Sequence, residues 1–409
     1  MKPNTYLMEI CPNIHSNAIY AGNLILALSE IKTDKYYLVL PCSKDIEAAI
    51  GKKLFHKLKE NERIKVLTLS NSFFTLRLMI SILKIRPKLL HLQHEYAWYY
   101  NSTGIVPLLI LAKFLRVPII VTMHSVFIKP NRKLKGTTMV GIYMLLRDKL
   151  AKFYVSYINR TILFLSKSVI VHTEQMKAII RNSPYSRNTI SVIPHGSETD
   201  CSDHSICTRK NSPQTLCIKI IGYIEPRKGQ DVAIEILRKL NETGVDSHLH
   251  IAGDIPISEK PSKKILDYFH GIVDSSKNFD NIFLEKKYLT IDHLKAEVLS
   301  ADIILLPYKL KSEEGIISTN ASGIFSISIG CGTIPVARNL PAFTSVLGLK
   351  FSELTFSNIE EAVSILSSFA KEPKKLNRIS NDIRRLAIES ISWESVARQH
   401  QNIIMNLSR

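Results

Sequence analysis

The chain is short of acid: 36 Asp and Glu stand against 54 Lys and Arg, a formal net charge of +18 over 409 residues. That balance points to an anionic partner, whether nucleic acid, an acidic bilayer or a phosphorylated small molecule. The chain is short of cysteine too. Its six (Cys11, Cys42, Cys201, Cys207, Cys217 and Cys331) form no CxxC pair, which excludes a disulfide scaffold and fits a reducing cytoplasm. There is no long hydrophobic run. The greasiest segment, 103–128, is broken by Pro107, Lys113, Arg116 and Pro118, so no membrane span is expected. The opening "MKPNTYLMEICPNIHSN" has no apolar core of the kind a signal peptide needs, so none is expected. RNA-binding aromatic motifs, a zinc pattern and a helix-turn-helix signal are also missing, so nucleic acid is not an expected partner despite the charge.

What is there begins with length. A chain of this size exceeds one ordinary core, and two domains are expected. Short Val/Ile/Leu runs at 6–11, 36–41, 64–69, 89–94, 118–124, 168–173 and 190–194 alternate with helix-period segments. Continuous rather than alternating runs suit parallel strands buried on both faces. The polar stretch 195–215, "HGSETDCSDHSICTRKNSPQT", interrupts them, and its Cys, Asp and His match no common metal spacing. The pattern then restarts, with strands expected at 216–224, 248–253, 281–285, 302–307 and 333–337. Helices are expected at 229–241, 258–272, 290–299, 322–331, 359–370, 373–389 and 393–407. The fold class is therefore α/β, with two Rossmann-like doubly wound domains. The expected boundaries are 1–197, a linker at 198–214, and 215–390, with a final helix in 391–409 returning to the first domain. Ligands of such sheets bind at the carboxyl ends of strands, so a cleft faced by both domains is the expected site.

Several segments carry possible chemistry. "SEEGIISTNASGIFSISIGCGTIPVAR", 312–338, is a small-residue loop leading into a helix, where free backbone N–H groups from Thr319 to Gly323 suit phosphate. "CIKIIGYIEPRKGQDVAIEIL", 217–237, ends a strand at Gly222 and places Arg227 and Lys228 before a helix, a second anion site. "LHLQHEY" sets His94 and Glu95, "VTMHSV" sets His124, and "VIPHG" sets His195 and Gly196 at strand exits. One such histidine is ordinarily structural, while several together indicate a site.

The order of these pieces, from "LHLQHEYAW" through "VTMHSV", "SVIVHTEQMKAII", "VIPHG", "IGYIEPRKG", "LHIAGD", "ADIILLPY" and "GTIPVA" to "ISWESVARQHQNII", resembles glycosyltransferase family 4 of the GT-B fold. The resemblance covers nearly the whole chain, is strongest from 168 to 340, and is closest to a bacterial and archaeal branch. It implies retaining transfer from a nucleotide-diphospho-sugar without metal or other cofactor. The absence of any Asp-x-Asp agrees, since Lys, Arg and amides can neutralise a diphosphate. By the same resemblance Lys228 and Arg227 hold the donor phosphates with Thr319, Asn320, Ser322 and Gly323. His124 lies near the donor sugar, Glu95 orients the acceptor or His124, and Gly22 of "YAGN" falls in the loop after the first strand. His195 and Gly222 complete the cleft.

The chain departs from the family at two places. The arginine after the strand glycine is Tyr223. The usual glutamates, separated by seven residues, fall on Thr319 and Ile327; Glu314 opens a similar motif in another register, with Ser322 eight positions on. A branch with Ser-Gly at this point matches Ser322-Gly323 better. The departures also fit a non-catalytic homologue that binds nucleotide or glycan as a regulatory or assembly subunit.

The excess charge is concentrated. Between 129 and 160 eight Lys and Arg stand against Asp148, around Ile142, Leu146, Leu150, Phe153 and Tyr157 at helical spacing. The segment is either a basic amphipathic helix on an anionic bilayer or a helix whose stripe faces the core. The resemblance favours the bilayer. It thus implies a cytoplasmic enzyme, peripheral on the inner face of the membrane, acting on a glycan or lipid-linked acceptor in cell-surface polysaccharide or lipopolysaccharide synthesis.

Overall fold

The structure, a computed structural model, describes residues 5–12, 16–32, 34–42, 46–95, 104–126, 139–181, 189–199, 201, 215–256, 262–309 and 321–407. The chain divides into two compact units, Met1–Pro194 with Val396–Arg409 and His195–Ser312 with Ser322–Ser395. In the first, β1 (Thr5–Ile10), β2 (Lys35–Pro41), β3 (Ile64–Leu69), β4 (Leu89–His94), β5 (Ile119–Met123), β6 (Ser168–Val171) and β7 (Thr189–Val192) form one sheet. Its order is β3-β2-β1-β4-β5-β6-β7, with every pairing parallel. The chain order reverses between β1 and β4, which is where such sheets open a crevice at their carboxyl ends.

One face of this sheet is apolar. Met8, Leu90, Leu92, Val121, Met123, Val169 and Val171 pack there against α4 (Phe74–Ile85), α5 (Ile105–Phe114), α6 (Met139–Leu165) and α7 (Glu174–Arg181). α5 packs against both α4 and α6. These helices bury Leu78, Leu108 and Ile162 toward the strands, yet their outer sides are apolar as well. Leu76 and Ile80 of α4, Ile110 and Phe114 of α5, and Leu150, Phe153 and Tyr157 of α6 are all exposed, Phe114 by 84% and Phe153 by 71%. Phe73, just before α4, is exposed on a left-handed backbone of φ 58°. The core-facing reading of the α6 stripe therefore fails at Leu150, Phe153 and Tyr157. Residues 129–138 and the side chains of Ile142 and Leu146 lie outside the described residues.

The opposite face carries polar side chains. Because alternate strand residues share a face, the β1–β4 pairing of Glu9 with His91 and the β4–β5 pairing of Gln93 with Thr122 line up a polar ribbon. α1 (Ser16–Ile31) sets Tyr20 against that ribbon. Gly22 corrects an expectation here. It lies inside α1, not in a loop, and a Cβ on it would come within 3.2 Å of Leu54 and 3.3 Å of Leu58. Its smallness admits α3 (Lys52–Glu60), which follows the short α2 (Ile46–Ile50).

In the second unit, β8 (Leu216–Ile221), β9 (Ser247–Gly253), β10 (Ile282–Lys286), β11 (Ile303–Leu306), β12 (Ile334–Arg338) and β13 (Thr355–Phe356) run in the order β10-β9-β8-β11-β12-β13, all parallel. Helices α8 (Gln230–Glu242), α9 (Lys263–Ser276), α10 (Ile291–Leu299) and α11 (Gly323–Gly330) connect them. α12 (Pro341–Leu347), α13 (Ile359–Lys371), α14 (Pro373–Ser390) and α15 (Trp393–Leu407) follow. The expected elements are found with shifted ends. β8 stops at Ile221 because Gly222 turns to φ 118°, and α9 starts after Ser262, whose hydroxyl accepts from the Ile265 amide. α12 and the two-residue β13 have no counterpart in the sequence reading.

Candidate functional site

The second unit builds its candidate site at the reversal between β8 and β11. Gly222 leaves β8 with φ 118°, and Gly253 at the end of β9 presses on it: a Cβ at 253 would lie 1.9 Å from the Gly222 carbonyl oxygen. Only glycine tolerates both the backbone and the contact. The turn Pro226–Lys228 then presents its cations. Gly229 closes it at φ 76°, where a Cβ would meet the Pro307 carbonyl oxygen at 2.2 Å. The loops after β8 and β11 are thus held backbone to backbone, and the Lys309 amide also donates to the Arg227 carbonyl at 3.0 Å.

That contact sets Lys228 against Tyr308. Lys228 Nζ donates to Tyr308 Oη at 2.6 Å and lies 4.1 Å from the ring centroid. Tyr308 Oη is 3.0 Å from Ser322 Oγ, and Ser322 Oγ accepts from the Phe325 amide, capping α11. Either hydroxyl can donate in the contact between Tyr308 and Ser322. Arg227 donates to Glu225 at 2.7 Å, whereas among the described residues no carboxylate pairs with Lys228. An ammonium without a carboxylate among the described residues, beside a capped helix start, is suited to a phosphate oxygen. Tyr223, in the arginine's place, is partly exposed. Its hydroxyl is held above the ordinary range by burial first, then by Tyr288, Asp254 and Glu225, so it donates hydrogen bonds and carries no charge.

In the first unit, His124 follows β5 and His172 follows β6. His124 Nε2 is 2.6 Å from Gln93 Oε1, and its Nδ1 is 3.1 Å from His172 Nε2. His172 Nδ1 reaches the Ile193 carbonyl at 3.0 Å. Gln93 Nε2 donates to Glu9 Oε1 at 2.5 Å, and Glu9 Oε2 lies 2.7 Å from His91 Nδ1. Tyr20 meets His124 and His172 edge-on, with ring centres 4.9 and 5.4 Å away. Glu95 accepts from Asn17 of α1 at 3.2 Å. His94 is buried, and burial lowers its pKa to about 3.

The expected residues therefore divide. Gly222, Arg227, Lys228, Ser322 and Gly323 come together in the second unit. His124 and Glu95 lie at strand exits of the first. His195 belongs to neither group: its Nδ1 is 2.8 Å from the Gly196 carbonyl oxygen, and its ring lies 6.3 Å from Trp393. Gly196 is packed beneath Trp393, where a Cβ would come within 2.4 Å. Thr319 and Asn320 lie outside the described residues. Tyr308 escaped the sequence reading although it ends the "ADIILLPY" run; Glu9, Gln93 and His172 escaped it too, their signal being the polar positions two apart within otherwise apolar strands. Among the described residues no group of three or more His, Cys, Asp or Glu is placed to hold a metal ion, and no helix is long and apolar enough to cross a membrane.

Residues 23–200 match the model of Glycosyltransferase Family 4. Solved structures align along almost the entire chain. A glycosyltransferase from Rickettsia africae is 17% identical with a TM-score of 0.65, covering 99% of both chains. HepE from Anabaena, solved with UDP-glucose, is 10% identical with a TM-score of 0.67, covering 98% of this chain and 99% of its own. Sucrose-phosphate synthase from Thermosynechococcus elongatus is 13% identical with a TM-score of 0.66, covering 98% and 99%. No curated protein sequence matches the chain.

Proposed function

We propose that this chain, whose residues 23–200 match the model of Glycosyltransferase Family 4 and whose two sheets have the GT-B fold, is a family 4 glycosyltransferase: a retaining, metal-independent hexosyltransferase using a nucleotide-diphospho-sugar. The observation that carries this reading is the Lys228–Tyr308–Ser322 chain at the start of α11, a cation that among the described residues has no carboxylate partner, beside a helix N-terminus. Lys228 and Arg227 receive the donor diphosphate, and Ser322 and Gly323 complete its cradle. UDP-glucose bound to HepE supports a nucleotide-sugar donor. The bond from sugar to phosphate breaks, the acceptor oxygen bonds to the same face of the sugar, and the leaving phosphate oxygen takes the acceptor's proton. His124 contacts a sugar hydroxyl, and Glu95 orients the acceptor. A panel of UDP-, GDP- and ADP-sugars, read by nucleotide release with candidate glycan acceptors, tests the reading. Release from at least one donor is expected; none from any donor would refute an active transferase.

One observation favours a second reading. Both ring nitrogens of His124 already have protein partners, as suits a homologue that binds nucleotide or glycan without turnover. Equilibrium binding of a nucleotide with no release from its sugar is the result that would select it.

The acceptor side of the proposal is an anionic membrane surface bearing a lipid-linked acceptor, with the protein cytoplasmic and building surface polysaccharide or lipopolysaccharide. Its support is the outer side of α4, α5 and α6, where Phe73, Phe114, Leu150 and Phe153 lie exposed among exposed Arg77, Lys84, Lys113 and Arg160. α4 and α5 contain no acidic residue. Apolar insertion with surrounding cations suits acidic headgroups. Co-sedimentation with vesicles containing phosphatidylglycerol is expected, weakening with salt and falling about tenfold in the double variant Leu150→Asp, Phe153→Asp. Equal binding to neutral vesicles would overturn it.

A further inference from the structure

The hydrogen-bonded ribbon of the first sheet fixes a proton count. The Ile193 carbonyl only accepts, so His172 Nδ1 must carry a proton to meet it at 3.0 Å. One proton must lie between His172 Nε2 and His124 Nδ1, 3.1 Å apart. Gln93 Oε1 only accepts, so His124 Nε2 must carry a proton to meet it at 2.6 Å. Two neutral imidazoles hold two protons between them, and these three contacts require three. The balancing charge lies beyond Gln93. Its amide donates to Glu9 Oε1, and Glu9 Oε2 faces His91 Nδ1 at 2.7 Å, while His91 Nε2 faces Thr122 Oγ1 at 2.8 Å.

We propose that the His124–His172 pair carries one extra proton and that Glu9, bridged through Gln93, is its counter-ion. Glu9 and His172 are then positioning residues that hold His124 cationic at the strand exit. The arrangement is a buried ion pair separated by one neutral amide. Removing the proton leaves two acceptors facing each other, unless the Gln93 amide turns over and Glu9 takes the proton instead. Charge on the histidine pair and charge on Glu9 therefore appear and vanish together.

The surrounding groups leave this pairing to Glu9. Tyr20 of α1, against both rings, keeps its hydroxyl proton, because burial and then the Glu9 charge raise its pKa far above the ordinary range. His400 of α15 lies 5.6 Å from His91, and burial first, then the neighbouring histidines, lower its pKa to about 3. His94 of β4 is likewise neutral, lowered to about 3 by burial. Glu95, next along the chain, is engaged by Asn17. Glu9 is bonded directly to the ribbon through the Gln93 amide.

Glu9→Gln separates the charge from the hydrogen bonds. An amide at position 9 lets Gln93 turn over and donate to His124 Nε2, so that two neutral rings satisfy every contact. The experiment is nitrogen NMR of full-length protein labelled in its histidines, with the His124 and His172 signals assigned by single substitutions. Three protonated nitrogens across the two rings are expected near neutral pH in the native protein, and two in Glu9→Gln. Two neutral rings in the native protein, or three protonated nitrogens surviving in Glu9→Gln, would overturn the proposal. Should Glu9→Gln not fold, His172→Gln gives a second reading: His124 is expected to stay an imidazolium opposite Glu9, donating from Nε2 to Gln93 and from Nδ1 to the new side-chain oxygen, and a neutral His124 overturns the idea. The inference deepens the sugar-contacting role given to His124 and relies on it only for activity. If that role holds, nucleotide release by Glu9→Gln falls about tenfold or more and its pH profile changes shape. The NMR change without any change in release would support the counter-ion and remove His124 from the reaction.

Discussion

The two units place chemistry at the same topological point, the carboxyl ends of parallel strands beside a reversal of strand order, by opposite means. The first uses side chains on strands. Glu9, His91, Gln93 and His172 are buried, positioned by register, and their polar atoms meet one another within the ribbon. The second uses backbone. Gly222, Gly229 and Gly253 bring loops into contact closer than any side chain allows, and the cation they present, Lys228, has among the described residues a tyrosine as partner and no carboxylate. A self-neutralised group can orient and tune. A group whose charge is not answered by a carboxylate can capture an anion, which is why the proposal gives the donor phosphates to the second unit.

That contrast can be broken where it is strongest. Lys228→Ala removes that charge and should lower nucleotide release about 100-fold or more with the fold retained; near-native release would end its assignment. The buried histidines of the first unit should instead show themselves in stability. His400 has a folded-state pKa of about 3 against about 6.5 when unfolded, so its neutral form favours folding. The stability is complete above about pH 6.5 and is lost as pH falls toward about 3, at up to about 1.4 kcal/mol per pH unit. Urea midpoints at about pH 7 and about pH 4.5 should diverge less in His400→Leu than in the native protein; an unchanged gap would show that this histidine does not set the acid limit. The smallest effect sharpens the comparison. Ser322→Ala removes the α11 cap and should cost about 1 kcal/mol of stability while weakening donor binding, since Tyr308 loses its hydroxyl partner. Loss of stability with native donor affinity would separate the cap from the phosphate cradle.

Much of this was legible in the sequence because its causes are local. Continuous Val, Ile and Leu runs mark strands such as Ile303–Leu306 and Ile119–Met123, which are buried on both faces. Gly222, Arg227 and Lys228 follow a strand within a few residues, and Ser322-Gly323 opens a helix, so their placement follows from short-range pattern. Gly22 was misplaced because its reason is tertiary: Leu54 and Leu58 of another helix lie against it. Tyr308 stands 80 residues from Lys228, and Gln93 stands 84 from Glu9. Only the sheet order joins such pairs, and no local periodicity encodes it. The exposed stripe of Leu150 and Phe153 shows the converse, a helical period that was clear without revealing which side faces the strands.

The polar ribbon also bears on how the first sheet chooses its pairing. A slip of one residue between β1 and β4 would set Leu90 or Leu92 against Glu9 and turn His91 and Gln93 into the layer occupied by Leu108 and Ile162. Strands made only of Val, Ile and Leu have little to distinguish one alignment from the next. Here a single misalignment strands a carboxylate in hydrocarbon. The residues that tune a histidine thus also act as a key for strand alignment, rejecting neighbouring registers before any substrate is present.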